Sequence, residues 1–211
     1  SKAGNSTHDN VITVNGNYDE VYGGHTSGTS NTDVEKKNSH DNTVTITGGT
    51  LGNVYGGYTE AADGTTENNT VTLAGGTVTG TVYGGNKSAK GNTLNVNTAA
   101  TVGKIENFSK VTFKTNTAKL TLTQAGANFD LDTIAADFGA TENEVTLVEN
   151  ANGLTLRGGK TFRTELSKDG TKETNIEARD DKKIVRYGYT VAGATAATTL
   201  GTEMWGGRSA A

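Results

Sequence analysis

The chain has no cysteine and no proline among its 211 residues. Without cysteine there is no disulfide framework and no thiolate metal site. Basic blocks are also missing, and the net charge of −4 gives no reason to expect nucleic-acid binding. No apolar run approaches the roughly 18 residues of a membrane-spanning helix. Hydrophobic residues make up only 32% of the chain, fewer than a compact globular domain of this size usually carries. A chain so poor in apolar residues is either disordered or built as a repeat array, whose core is a narrow column. GxSxG, the phosphate loop, HExxH and the calcium-binding GGxGxD are all absent.

What the sequence does contain is a repeated unit. Residues 42–57 read NTVTITGGTLGNVYGG. Related copies are NVITVNGNYDEVYGG over 10–24, NTVTLAGGTVTGTVYGG over 69–85, and a decayed NTLNVNTAATVGKIEN over 92–107. Each copy reads as an alternating strand, a glycine bend, a second short strand and, in the first three, Tyr-Gly-Gly. Aligned copies give an asparagine column of Asn10, Asn42, Asn69 and Asn92. Residues two apart on a strand share a face. Two columns therefore point inward, Ile12/Val44/Val71/Leu94 and Val14/Ile46/Leu73/Val96, while Thr43, Thr45, Thr70, Thr72 and Thr93 point outward. After the bend come Tyr18/Leu51/Val78/Val102 and Val21/Val54/Val82/Ile105.

The ladder asparagines are spaced 32, 27 and 23 residues apart, and the excess lies in polar segments after Tyr-Gly-Gly. Those segments read as solvated loops. A propeller blade needs about 40 residues or more, so the short unit favours a parallel β-solenoid over a propeller or a meander of hairpins. In a solenoid, stacked asparagines hydrogen-bond amide to amide along the axis. Leu120 and Leu122 repeat the spacing of Leu94 and Val96, and are expected to open a fifth coil. Asp130 to Phe138 reads as a short helical turn or a bent strand. Residues 144–156 read as two strands joined in a hairpin by Asn152-Gly153. Further turns are expected at Asp169-Gly170 and Asp180-Asp181-Lys182, so that residues 140–191 form an antiparallel meander. An open solenoid end needs a cover, and this meander is expected to supply it. The expected organisation is regular coils over 1–122, irregular final coils and a cap over 123–191, and a linker or tail over 192–211. Because Ser1 lies within a repeat-like pattern and no signal peptide precedes it, the chain reads as part of a longer protein.

Two clusters stand out as candidate sites. Tyr22, Tyr55 and Tyr83 each follow an inward valine, so alternation turns them outward as a ladder beside Gly-Gly, a surface on which sugars or partner side chains can lie. The competing reading is that the rings only stack on one another. His8-Asp9 and His40-Asp41 occupy matching places before the ladder asparagine. They are expected to be turn residues rather than metal ligands. Asp19 and Glu20, the carboxylates that an enzymatic solenoid would use, are followed in the next copies by Gly52-Asn53 and Gly80-Thr81, so no acidic groove continues along the stack. No catalytic residue, metal site or cofactor is assigned.

The coils, KIENFSKVTFKTNTAKLTLTQ over 104–124 and TLVENANGLTL over 146–156 together resemble the passenger region of bacterial type V autotransporters. That family implies an all-β fold, a right-handed parallel β-helix ending in a stable C-terminal segment that promotes folding during secretion. It also implies a non-enzymatic adhesin or adhesin-supporting stalk outside the cell, on a Gram-negative-type surface. Membrane attachment would come through a barrel not included here. The partner would be a surface protein or glycan of host or bacterium. The alternatives are a polysaccharide-acting β-helix enzyme and a purely structural stalk.

Overall fold

The computed structural model describes residues 6–27, 37–139, 144–158, 165–166 and 172–191. These residues form an all-β structure dominated by two sheets. The first is wholly parallel and runs, in spatial order, β2 (Val11–Asn15), β6 (Thr43–Gly48), β8 (Thr70–Leu73), β10 (Thr93–Val96), β12 (Lys110–Phe113) and β15 (Ile134–Ala136). The second runs β3 (Tyr18–Tyr22), β7 (Thr50–Thr59), β9 (Thr77–Gly85), β11 (Ala99–Glu106), β13 (Lys119–Leu122) and β16 (Val145–Glu149), again parallel. It then continues through β20 (Ile184–Val191), β19 (Lys172–Arg179) and β18 (Glu165–Leu166), all joined antiparallel. Short parallel ladders fill the corners. They pair β1 (Thr7–His8) with β5 (Ser39–His40), β4 (His25–Thr26) with the end of β7, and β14 (Ala127–Asp130) with β17 (Leu154–Arg157). The arrangement is compatible with a β-solenoid.

The registers reproduce the sequence columns. Ile12 pairs with Val44, Val44 with Val71, and Val71 with Leu94. On the same face Val14, Ile46, Leu73 and Val96 pair in turn. Across the bend, Leu51 pairs with Val78 and Val78 with Val102, while Val21, Val54, Val82 and Ile105 align beside them. From Val44 onward these side chains are buried in a single apolar cluster shared by both sheets. Fully burying such a side chain stabilises by about 1.5–3 kcal/mol, so the core gains its strength by repetition along the stack.

The asparagine column is the polar counterpart. Asn42, Asn69 and Asn92 are wholly buried. Asn10 Nδ2 donates to Asn42 Oδ1 at 2.9 Å, and Asn42 Nδ2 donates to Asn69 Oδ1 at 3.1 Å. The same oxygens accept from the backbone N–H of the preceding asparagine, and Asn69 N–H donates to Asn92 Oδ1 at 2.8 Å. The residue before each asparagine adopts a left-handed conformation, with φ of 56° at Asp9, 54° at Asp41, 57° at Asn68 and 68° at Gly91. Asp, Asn and Gly tolerate that conformation best, which explains the residue types at this corner.

Three expectations are corrected. Val111 and Phe113, rather than Leu120 and Leu122, continue the first sheet, pairing with Leu94 and Val96. Leu120 and Leu122 instead pair with Ala100 and Val102 in the second sheet. The corner between Glu106 and Lys110 is only three residues long, so this turn of chain closes early and moves the next strand to the opposite side. Second, β16 and β17 do not form a hairpin around Asn152-Gly153. They diverge to join β13 and β14 in parallel, because both present apolar residues to an existing ladder. Among the described residues the antiparallel portion is therefore confined to β18–β20, packed on β16, and the meander expected over 140–191 is shorter there. Third, Tyr18 occupies its column opposite Leu51 but is 56% exposed, since its strand is the outermost of the ladder. The two readings of Asp130 to Phe138 both hold, in succession. A 3-10 turn over Leu131–Thr133, capped by Asp130 Oδ1 accepting from Asp132 N–H, leads directly into β15.

The Asp180-Asp181-Lys182 turn forms as expected, all three residues having positive φ. Asp169-Gly170 and residues 192–211 lie outside the described residues. Where the hairpin meets the parallel stack, Glu144 is only 12% exposed and binds Arg186 at 2.5 Å and Arg179 at 3.5 Å. These ion pairs join the entry to β16 with both hairpin strands.

Candidate functional site: a stacked tyrosine ladder

Tyr22, Tyr55 and Tyr83 lie side by side on β3, β7 and β9. The sequence Val-Tyr-Gly-Gly places them there. Val21, Val54 and Val82 point into the core, so the following residue faces outward. The two glycines then turn back inward and are buried. A Cβ on Gly23 would lie 2.3 Å from Gly56 O, and one on Gly57 would lie 2.6 Å from Asn69 Nδ2. The glycines thus let neighbouring repeats and the asparagine ladder approach behind the tyrosines. They therefore add no exposed surface beside the rings.

The rings stack face to face. Tyr22 and Tyr55 have centroids 5.1 Å apart at 8°, and Tyr55 and Tyr83 lie 4.5 Å apart at 2°. His25 also stacks on Tyr22, at 5.0 Å and 27°, and Tyr58 stands T-shaped to Tyr22 and Tyr55 at 5.2 and 5.1 Å. Tyr83 is followed in the ladder by Glu106, which is ion-paired with Lys104 at 2.8 Å. The faces of the middle ring are therefore occupied by its neighbours, and the three ladder rings are half-buried. Burial, then the neighbouring Tyr83 and Glu20, push the Tyr55 phenol up to about 12. Tyr22 is raised for the same reason, burial first and then Glu20.

Around the ladder, His25 Nε2 meets Glu60 Oε1 at 3.0 Å, and Asn53 Nδ2 donates to Glu20 Oε1 at 3.2 Å. Sequence reasoning missed His25 and Tyr58. The signal was present: YGGHT and YGGYT align an aromatic and a threonine immediately after the glycines. That alignment corresponds to the β4–β7 ladder, which pairs His25 with Tyr58 and Thr26 with Thr59.

His8 and His40 stack at 5.1 Å and 13°, each Nδ1 meeting the carboxylate of its following aspartate at 2.7 and 2.5 Å. Among the described residues no three His, Asp or Glu side chains converge as a metal set. Asp19 and Glu20 are exposed, and Glu20 stands opposite Asn53. A cleft of about 360 Å³ lies elsewhere, lined by Glu106, Asn107, Phe108, Phe129, Asp130 and Arg157 among others. Its residues come from different repeats, so no local motif announces it. Asp130 is ion-paired with Arg157 at 3.1 Å, and Glu106 with Lys104.

No protein-family model matches this chain, and no curated protein or solved structure is significantly similar to it.

Proposed function

We propose that this chain is a non-enzymatic passenger segment of the autotransporter type, a right-handed parallel β-solenoid that acts as an adhesin or as the stalk supporting one. In this reading it stands outside the cell on a Gram-negative-type surface, held by a barrel beyond the stretch described. Its partner is a surface protein or glycan of host or bacterium. The terminal hairpin is a cap that closes the stack and promotes folding during secretion.

The observation that carries this reading is the change of strand direction at β16. A parallel ladder begins at β3, runs without interruption to β16, and is there covered by the antiparallel strand β20. Repeat arrays fold by propagation between neighbours and need terminal units that shield their open faces. The hairpin has the position and the apolar contacts for that task, with Ile176, Val185 and Tyr187 joining the core cluster. The polysaccharide-acting alternative draws less support. The carboxylates lining the cleft are held in ion pairs, and Asp19 and Glu20 are not repeated along the stack.

The test is to express the complete reading frame in a Gram-negative host and treat intact cells with protease. Cleavage of this segment at the outer surface, with no release of reducing ends from a panel of bacterial and host polysaccharides, is expected. Retention in the cytoplasm, or turnover of a polysaccharide, would overturn the proposal.

A further inference from the structure

We propose that Tyr22, Tyr55 and Tyr83 form an oxidative cross-linking site, at which a peroxidase-class one-electron oxidant couples neighbouring rings into dityrosine and so joins successive repeats covalently. The geometry carries the inference. A tyrosyl radical holds much of its spin on the ring carbons ortho to oxygen, in p orbitals normal to the ring plane. In a face-to-face stack those orbitals point at one another. Tyr55 and Tyr83 meet this condition most closely, at 4.5 Å and 2°, and Tyr22 with Tyr55 next, at 5.1 Å and 8°. The pairing of β3, β7 and β9 fixes the rings in this order, so their coupling is set by the strand register rather than by chance encounter. The rings are only half-buried, which leaves them within reach of an oxidant in solution.

Each of two phenols gives one electron to the oxidant and one proton to solvent. The two radicals then form one bond between ortho carbons. Each bonded carbon passes its hydrogen, as a proton, to its own phenolic oxygen as aromaticity returns. The two electrons and two protons reduce one hydrogen peroxide to two waters, and the protein loses two hydrogens. In a chain without cysteine, this supplies a cross-link between repeats that disulfides cannot.

Tyr18 provides an internal control. It is more exposed, at 56%, but has no stacked ring partner among the described residues. If exposure alone governed oxidation, Tyr18 would react first and would join separate chains. If stacking governs it, the product is intramolecular and lies at the ladder.

The experiment treats the dilute full chain with a haem peroxidase and hydrogen peroxide, then reads dityrosine fluorescence, intact mass and cross-linked peptides. The expected product is a monomer lighter by two hydrogens, with Tyr55 joined to Tyr83 as the main bond. Tyr55→Phe keeps a ring in the stack but removes the phenol, and is expected to abolish the ladder cross-link. Tyr83→Phe is expected to leave only the Tyr22–Tyr55 bond, and Tyr18→Phe to change nothing. Cross-links that run mainly between chains through Tyr18 would overturn the proposal. So would the absence of coupling under conditions that dimerise free tyrosine, or an undiminished ladder signal in a folded Tyr55→Phe protein.

Discussion

Asn42 and Asn69 are bonded side chain to side chain, Nδ2 to Oδ1 at 3.1 Å, and neither residue is exposed at all. Asn69 Oδ1 also accepts from the backbone N–H of Asn42, so one oxygen serves two donors from the repeat above it. Asn69→Ala leaves the buried Asn42 N–H without its acceptor, while Asn42 Nδ2 keeps Ser39 Oγ at 3.2 Å. A buried unsatisfied polar group costs about 1–3 kcal/mol, so a loss at least of that order is expected in urea denaturation. Asn10→Ala, at an exposed position on the outermost repeat, is expected to cost markedly less.

Leu73 and Thr72 test the assignment of faces. Leu73 is 1% exposed between Ile46 and Val96, and Leu73→Ala is expected to cost about 2–5 kcal/mol. Thr72 faces outward and is half-buried by its ladder neighbours, and Thr72→Ala is expected to stay within about 0.5 kcal/mol. Equal denaturation midpoints for the two variants would contradict the inward and outward columns.

The columns were legible in the sequence because each strand buries one face and the same residue type returns at the same place. Val44, Val71 and Leu94 show this most directly. Legibility failed where the corner after Glu106 shortened to three residues. Leu120 and Leu122 keep the spacing of Leu94 and Val96, but the three-residue corner before Lys110 had already placed Val111 and Phe113 on that side. Alternation fixes which face a residue takes, and corner length fixes which sheet it joins. Tyr22, Tyr55 and Tyr83 were legible as an outward ladder. Their partner Tyr58 is signalled more weakly, since its alignment with His25 after the two glycines is shared by only two copies.

Gly56 tests the close approach behind the tyrosines. A Cβ there would lie 2.6 Å from Gly84 O and 2.9 Å from the Cβ of Asn69. Backbone has to move to admit it, and forcing extra atoms into a packed site costs about 1–3 kcal/mol. Gly56→Ala is therefore expected to lower the melting temperature, whereas Gly139→Ala, with open space around it, is expected to leave it unchanged.

The tyrosine ladder also sets an alkaline limit. The Tyr55 phenol is raised from an ordinary 10.0 to about 12, chiefly by burial. The unfolded chain loses this proton first, so between those values it binds fewer protons than the folded chain. Stability contributed by the neutral phenol is then present below pH 10 and falls as pH rises toward 12. Denaturation at a series of alkaline pH values is expected to show this decline, with a shallower slope in Tyr55→Phe.

The terminal hairpin is tied to the stack by Glu144, which meets Arg179 and Arg186 near the start of β16. Removing Glu144 takes away the carboxylate that Arg179 and Arg186 share, while Arg179 keeps Glu177 at 3.4 Å, so the hairpin loses part of its anchoring to the stack. Glu144→Ala is expected to speed hydrogen exchange in β19 and β20 more than in β8 and β10.

The most direct test of the capping role is to cut the chain after Gly139 and compare its association state and refolding with those of the full chain. The cut removes β16 and the hairpin, and leaves β13 as an unpaired parallel edge. An unprotected edge of that kind recruits other chains. The expected result is that residues 1–139 aggregate or refold slowly, while the full chain stays monomeric and refolds in good yield. A soluble, monomeric 1–139 fragment with a cooperative unfolding transition would contradict the role of the hairpin as the unit that closes and stabilises the stack.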